Sequence, residues 1–402
     1  MFDSVAPNLP VLQTVLEFYN AARRQPLRGM KVLSTQHLLG STLSLFHALE
    51  VCGVAPHDIT IVVKAYSSNA AALIEARSRG YYIFGGGPML SDALPYEEVL
   101  EQSIFEAGKH ALDKMEWASK PGAGGRNILV IDDGGRMLDT LFRNYPGVSS
   151  FACGVEQTTR GIRDLAGQTL CIPVANVGRC RAKLEVEADL IAKSMVENLD
   201  IEVASSARVA GLFGRKLLLV GFGAVGECLA PALRARSYDV AVVDSDEDHA
   251  SKACAAGFPI LALPSALIGR DIICGATGFP WFLPEWVDLV EPGALLVNMA
   301  SSDIEFGAWK LRAAGEPVPT SASRSTPWEV LYRLEGARGL AWLAKGGFPI
   351  NFTGGIDPID PKKIQLTRAL LLVGALEAAS ARDPGLFSLP DHIQQLIMDD
   401  LG

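Results

Sequence analysis

The sequence predicts an α/β protein built from two doubly wound parallel sheets, and three observations carry that expectation. Short apolar runs before residue 180 alternate with helix-forming stretches. A second strand–helix–strand alternation begins near Arg215, and the 402-residue chain is longer than one ordinary core. The first set of runs, at residues 30–33, 59–63, 80–84, 127–131 and 171–174, reads as parallel strands of one α/β unit. Within that unit residues 119–125, Ser-Lys-Pro-Gly-Ala-Gly-Gly, read as a turn-rich connection. Leu184, Ala188, Ile191, Met195 and Leu199 recur at helical spacing, which predicts one amphipathic helix joining the two units and acting as a hinge.

The second unit opens on the most informative stretch of the chain. An apolar strand at residues 215–220 runs into Gly221-Phe-Gly-Ala-Val-Gly226. In this pattern Gly221 permits a tight turn, Gly223 lets backbone amides approach a diphosphate, and Gly226 lets the next helix pack closely. Ala224 and Val225 then lie on the helix N-terminus under the diphosphate. A second apolar strand ends in Asp244, about 20 residues beyond the glycines, where a carboxylate hydrogen-bonds a ribose diol and repels a 2′-phosphate. The pattern predicts a Rossmann-like domain that binds NAD. The runs at 271–278 and 294–298 continue this sheet, and a further helix is expected over 363–379.

Composition agrees with two filled cores, at 49% hydrophobic and 20% charged residues. Formal charge is 36 minus 45, or −9, without a Lys/Arg block, which disfavours nucleic acid and anionic membrane as partners. No basic leader with an apolar core opens the chain and no apolar run could span a bilayer, so a cytoplasmic location is expected. Seven scattered cysteines without a Cys-x-x-Cys pair, and six histidines without His-x-x-x-His or Glu-x-x-His spacing, indicate neither a disulfide framework nor a metal site.

Four polar clusters each follow a predicted strand of the first unit, where an open parallel sheet places its ligand crevice. They are His37 with Ser41 and Thr42; Asp132-Asp-Gly-Gly135; Glu156-Gln-Thr-Thr-Arg160; and Arg181-Ala-Lys183 through Glu187. In this order, and followed by the dinucleotide unit, they resemble the S-adenosylhomocysteine hydrolase family over roughly residues 30 to 380. The segment from Thr35-Gln-His37 to Gly53 is similar to that family's Leu-His-Met-Thr segment. Ile131-Asp-Asp-Gly-Gly135 resembles its Asp-Asp-Gly-Gly block, and Gly154 to Gly161 its Glu-Glu-Thr-Thr-Thr-Gly loop. Pro173-Val-Ala-Asn-Val177 leading to Lys183 resembles its Pro-Ala-Ile-Asn-Val…Lys segment, and Asn298 with Asp303 and Glu305 its Asn-x-Gly-His-Phe-Asp-x-Glu motif.

The resemblance implies transient oxidation of a ribose 3′-hydroxyl by bound NAD, loss of the acidified C4′ proton, and β-elimination at C5′. It implies Lys183 beside the 3′-hydroxyl, partnered by Glu187, with Asp133 and His37 moving protons around C4′ and C5′. Thr158, Thr159, Thr277, Gly278, Asn298 and Asn351 would face the cofactor. Ser41, Thr42, Ser67, Gln157, Ser301 and Asp357 would lie at the substrate. A homodimer or homotetramer is also implied.

Several positions depart from the family. Leu39, Gln157, Gly178, Ala188, Ser301 and Ser302 replace its threonine, glutamate, two asparagines, histidine and phenylalanine, and its Gly-His-Pro loop survives only as Gly355-Ile-Asp-Pro358. The losses fall around C5′ and the base pocket, while the positions for NAD and for 3′-oxidation are better kept. The sequence therefore predicts a nucleoside dehydratase or lyase with an altered substrate. A true S-adenosylhomocysteine hydrolase and a catalytically inactive NAD-binding regulator are the alternatives. The expected division is a substrate domain at 1–185, an NAD domain with the hinge helix at 186–354, a return helix at 355–385 and a tail at 386–402.

Overall fold

The computed structural model describes residues 4–86, 94–112, 126–149, 151–205, 209, 212, 215–318 and 326–401. The turn-rich connection expected at 119–125 lies outside the described residues. The chain forms two compact units: unit 1 comprises Met1–Gly87, Leu100–Glu187 and Gly354–Gly402, and unit 2 comprises Pro88–Val99 and Ala188–Thr353. Each is built on a seven-stranded sheet, so the protein is of the α/β class with two doubly wound sheets.

Unit 1 contains strands β1 (Lys31–Gln36), β2 (Ile59–Val63), β3 (Tyr82–Gly85), β4 (Ile128–Asp132), β5 (Ala152–Glu156) and β6 (Pro173–Asn176). They are parallel and lie in the order β3-β2-β1-β4-β5-β6. β2 and β4 are nearly continuous Val/Ile/Leu runs because both faces of this sheet are covered. The order reverses between β1 and β4, which opens a crevice at their carboxyl ends. β5 has no counterpart among the expected strands. Its sequence, Ala-Cys-Gly-Val-Glu, has little β-propensity, yet a Cβ on Gly154 would come within 2.7 Å of Leu138 Cδ2, so the glycine admits the covering helix.

Unit 2 contains β7 (Lys216–Val220), β8 (Asp239–Val243), β9 (Ile272–Gly275), β10 (Leu295–Asn298), β11 (Glu316–Val318), β12 (Leu331–Gly336) and β13 (Gly339–Leu343). The order is β8-β7-β9-β10-β13-β12-β11. β7 through β10 and β13 run parallel, and β12 is antiparallel to both β13 and β11. Here the order reverses between β7 and β9. The flank β11–β13 is also absent from the expected strands; its hairpin turns tightly between Gly336 and Gly339, which face each other across the pair.

β14 (Gly385–Ser388) returns to unit 1 and pairs in parallel with β6. The start of the segment expected to trail as a tail at 386–402, residues 386–388, is therefore part of the sheet. The helix Asp391–Asp399 that follows buries Ile393 and Ile397 in the core. A four-residue edge strand of Gly-Leu-Phe-Ser between prolines reads as a loop until β6 supplies its hydrogen bonds. The helix Pro361–Ser380 is buried along nearly all its length and packs on β5, where a Cβ on Gly374 would lie 2.8 Å from Val155 Cγ1. The helix expected from Leu184 begins earlier, at Arg181, and extends to Ser205 across the unit boundary.

No helix among the described residues is long and apolar enough to cross a membrane. Ile397→Ala should cost about 2–5 kcal/mol, the usual effect of emptying a fully buried aliphatic site. A lowered urea midpoint in unit 1 is the expected result; an unchanged midpoint would show that the terminal helix is not part of the core.

Candidate functional site

The crevice of unit 1 is organised by a carboxylate that is wholly buried. Glu156, at the end of β5, accepts hydrogen bonds from Gly134 N at 3.2 Å, Gly135 N at 2.8 Å, Thr158 N at 2.7 Å and Thr158 Oγ1 at 2.6 Å. It thereby joins the turn after β4 to the turn after β5. Gly134 and Gly135 both adopt positive φ, and a Cβ on Gly161 would fall 2.3 Å from Glu156 Cδ, so only small residues leave room for the carboxylate. Burial raises the Glu156 pKa, and the charge of Asp132 adds to the rise. Asp132 is itself pushed up to about 7, chiefly by burial.

With its turn held, Asp133 projects into a ring of donors. Its Oδ1 accepts from Lys64 Nζ at 2.8 Å and its Oδ2 from Gln157 Nε2 at 2.7 Å, with His37 Nε2 3.3 Å away. Burial alone would raise the Asp133 pKa, but Lys64, His37 and Lys183 bring it down to about 2. His37 moves the other way. Burial lowers it to about 3 against the partial compensation of Asp133, with Lys64, Arg368 and Lys183 adding to the fall. At neutral pH the imidazole is therefore uncharged, and the cation that holds Asp133 ionised is Lys64.

His37 Nδ1 also contacts Ser67 Oγ, which lies 3.0 Å from the Lys64 carbonyl. A neutral ring satisfies both its contacts only with its proton on Nε2, toward Asp133, and the Ser67 hydroxyl donating to Nδ1. This tautomer is assigned from the network. Lys183 Nζ donates to the Gln157 carbonyl and pairs with Glu187 Oε2 at 3.6 Å. Glu187 also accepts from the Thr367 hydroxyl. The structure thus brings His37, Ser67, Asp133, Gln157, Lys183 and Glu187 into one connected group.

Other expected residues have structural duties. Thr158 caps the helix Thr159–Ala166 by accepting from Gly161 N, and Thr159 Oγ1 donates to the Gly178 carbonyl at 3.1 Å. Both hydroxyls are thus engaged within unit 1. Thr42 Oγ1 donates to the His37 carbonyl at 2.8 Å and fixes that turn. Ser41 N and Oγ both donate to Asp357, at 3.2 Å and 2.6 Å. Sequence reasoning misses Lys64 and Arg368. Lys64 follows β2 as a single charge at a strand end, and Arg368 interrupts an apolar helix. The available signals are their positions, one at a carboxyl edge and the other inside a run with no exposed face.

In unit 2 the glycine turn lies at the second reversal point. A Cβ on Gly221 would sit 2.6 Å from the Ala276 carbonyl and one on Gly226 2.2 Å from the Gly221 carbonyl, whereas one on Gly223 would meet nothing nearer than His249 Cε1 at 3.9 Å. The close contacts are structural, and the space at Gly223 is what a ligand needs. The helix Ala224–Ala235 starts without a side-chain cap, and Ala224 is exposed, with Val225 partly so. Asp244 accepts from Phe222 N at 2.6 Å and Asp246 N at 2.8 Å. Ile350 N bonds the Asn298 carbonyl at 3.0 Å, which places Asn351 beyond the carboxyl end of β10. Asn351 is buried, and its Oδ1 has no hydrogen-bond partner among the described residues. Open amides, a carboxylate and an orphaned acceptor fit the diphosphate, the ribose diol and a carboxamide of a dinucleotide.

The neighbouring loops are held from below. Glu305 accepts from Thr277 Oγ1 at 3.1 Å, Trp281 Nε1 at 2.9 Å and Gly278 N, and burial raises it to about 7. Asn298 donates to the carbonyls of Ser302 and Gly347 at 2.6 Å and 2.7 Å, so both its amide protons shape the turn after β10. Asp303 forms a fully buried pair with Arg312 at 2.7 Å. Ser301 is exposed at that turn. No group of three or more His, Cys, Asp or Glu placed to hold a metal occurs among the described residues.

No family model matches the chain. It is similar to two uncharacterised proteins of Mycobacterium tuberculosis, from strains CDC 1551 / Oshkosh and ATCC 25618 / H37Rv. Each is 29% identical over 395 residues, covering 98% of this chain and 72% of the relative. Among solved structures, a dipicolinate synthase subunit from Bacillus halodurans aligns over 68% of this chain and 83% of its own, at 11% identity and a TM-score of 0.36. The TT0316 protein from Thermus thermophilus aligns over 88% and 98%, at 15% identity and a TM-score of 0.39. Likenesses this shallow transfer no function.

The buried neutral state of His37 has a pH signature. Its folded pKa of about 3 is depressed from 6.5, so its contribution to stability is present above 6.5 and lost as pH falls toward 3. His37→Gln should flatten that part of the acid-unfolding profile in thermal melts, and a profile with the wild-type slope would refute a buried neutral ring.

Proposed function

We propose that this chain is an NAD-dependent enzyme that oxidises a sugar hydroxyl transiently so that a neighbouring bond can break, acting as a dehydratase or lyase on a nucleoside or related sugar-bearing metabolite. The observation that carries this reading is the unit 1 crevice itself: an ionised carboxylate, a neutral imidazole and a lysine–glutamate pair joined through Gln157. The combination suits proton transfer, and the same chain carries a separate dinucleotide turn. The resemblance to the S-adenosylhomocysteine hydrolase family supports the same chemistry.

In unit 2 the amides at Gly223 and Ala224 would take the diphosphate, Asp244 the ribose diol and Asn351 Oδ1 the amide protons of the carboxamide. The chemistry that a nicotinamide dinucleotide held there would supply is reversible hydride uptake from the sugar carbon. The remaining work belongs to side chains of unit 1. Lys183, oriented by Glu187 and the Gln157 carbonyl, assists loss of the hydroxyl proton. His37 takes up a proton at Nδ1, and Asp133 stabilises the imidazolium that results. The Ser67 hydroxyl has one proton and two acceptors, Nδ1 and the Lys64 carbonyl, so it turns to the carbonyl when Nδ1 is filled. Gln157 holds Asp133 as a neutral amide, which leaves less acid–base capacity at the leaving group than a carboxylate would supply and favours elimination without return of water.

Adding candidate nucleosides to the NAD-loaded protein should raise the near-ultraviolet absorbance of reduced nicotinamide. Lys183→Ala should slow that rise by about 10²–10⁴-fold. Mass analysis of the product separates loss of water from cleavage of a thioether. Full activity in Lys183→Ala, or no reduction with any sugar-bearing compound, would overturn the reading.

A further inference from the structure

The helix Pro361–Ser380 carries one cation through an otherwise apolar wall. Arg368 sits between Leu366-Thr367 and the run from Ala369 to Leu372, and only 7% of it is exposed. Its hydrogen bonds to described residues, from Nε and Nη2, both end on Ser41 Oγ at 3.3 Å. It forms no ion pair with a described residue, and Nη1 has no hydrogen-bond partner among them. The two other cations of this crevice, buried Lys64 and part-buried Lys183, are matched by Asp133 and Glu187. Asp357, the strongest opposing charge that Arg368 feels, is turned onto Ser41, where it caps the helix Gly40–Val51. A buried guanidinium served by one shared hydroxyl is costly, and an oxyanion that completes its hydrogen bonds would offset that cost.

The position of Arg368 indicates which ligand. Its neighbour Thr367 donates to Glu187, and Ser41, which accepts from the guanidinium, precedes Thr42, which donates to the His37 carbonyl, so Arg368 belongs to the same crevice as the proton-transfer group. A planar fork with unused donors matches a carboxylate or phosphate better than any neutral group. We propose that Arg368 docks an oxyanion, a carboxylate or phosphate, carried by the substrate of unit 1. This rests on reading the Asp133 crevice as the substrate site and narrows the substrate to an anionic sugar derivative. A neutral nucleoside leaves the guanidinium unmatched.

Calorimetric titration of the full-length, NAD-loaded protein with inorganic phosphate and, separately, with acetate at fixed ionic strength tests this and tells the two anions apart. Saturable binding of one anion is expected, weakened at least tenfold in Arg368→Gln and to an intermediate degree in Arg368→Lys, which keeps the charge without the fork. Asp357→Asn removes the competing negative charge while leaving Arg368 intact, and should tighten binding severalfold; this arm holds if Arg368→Gln does not fold. The absence of saturable binding to the wild type, or equal binding by Arg368→Gln, overturns the proposal. The oxidation reading fails separately. Anion binding that depends on Arg368 without any reduction of NAD sinks the redox step alone, whereas equal reduction of NAD by a neutral nucleoside in wild type and Arg368→Gln sinks the anion site alone.

Discussion

The buried carboxylate of Glu156 is the constraint on which the unit 1 site depends. Two turns, one after β4 and one after β5, direct their amides at it, and without that acceptor four donors would be left facing a sealed interior. The cost of burying the group is offset by those donors and by glycines at 134, 135 and 161, where any side chain would collide with it or strain the turn. Asp133 lies between these anchors and inherits their rigidity. Its low pKa then follows from Lys64 at hydrogen-bond distance rather than from solvent, which is largely excluded.

The two units furnish their reversals of strand order with opposite means. Unit 2 presents backbone: open amides at a glycine turn, held by close contacts at Gly221 and Gly226, with Glu305 fixing the loop after β9. Backbone donors carry no titratable proton, so they suit a group that is held rather than transformed. Unit 1 presents side chains, paired acid to base inside the crevice. Its neutral imidazole and ionised carboxylate sit 3.3 Å apart, an arrangement suited to moving protons.

Much of this was legible in the residues. Glycines, strand and terminal carboxylate announce the turn of unit 2, because those requirements are local in the chain. His37, Asp133 and Lys183 were legible as polar residues just past predicted strands. Lys64 and Arg368 were not, since a lone charge after an apolar run looks like a solvated end, and an arginine in a leucine-rich helix gives no sign of what it faces. The threonines at 158 and 159 illustrate the reverse case. The family resemblance implies that they face the cofactor, whereas in the structure one hydroxyl caps a helix and the other donates to a carbonyl.

Periodicity and turn chemistry were sufficient to specify most of the parallel strands of the two sheets, the glycine turn and the edges where polar residues would gather, for each depends on neighbours a few residues apart. The pairing of β14 with β6, the Lys64–Asp133 contact and the burial of Arg368 beside Ser41 join residues as far apart as 327 positions. Those partners are chosen by which strands and helices come to lie side by side, and no local pattern encodes that choice.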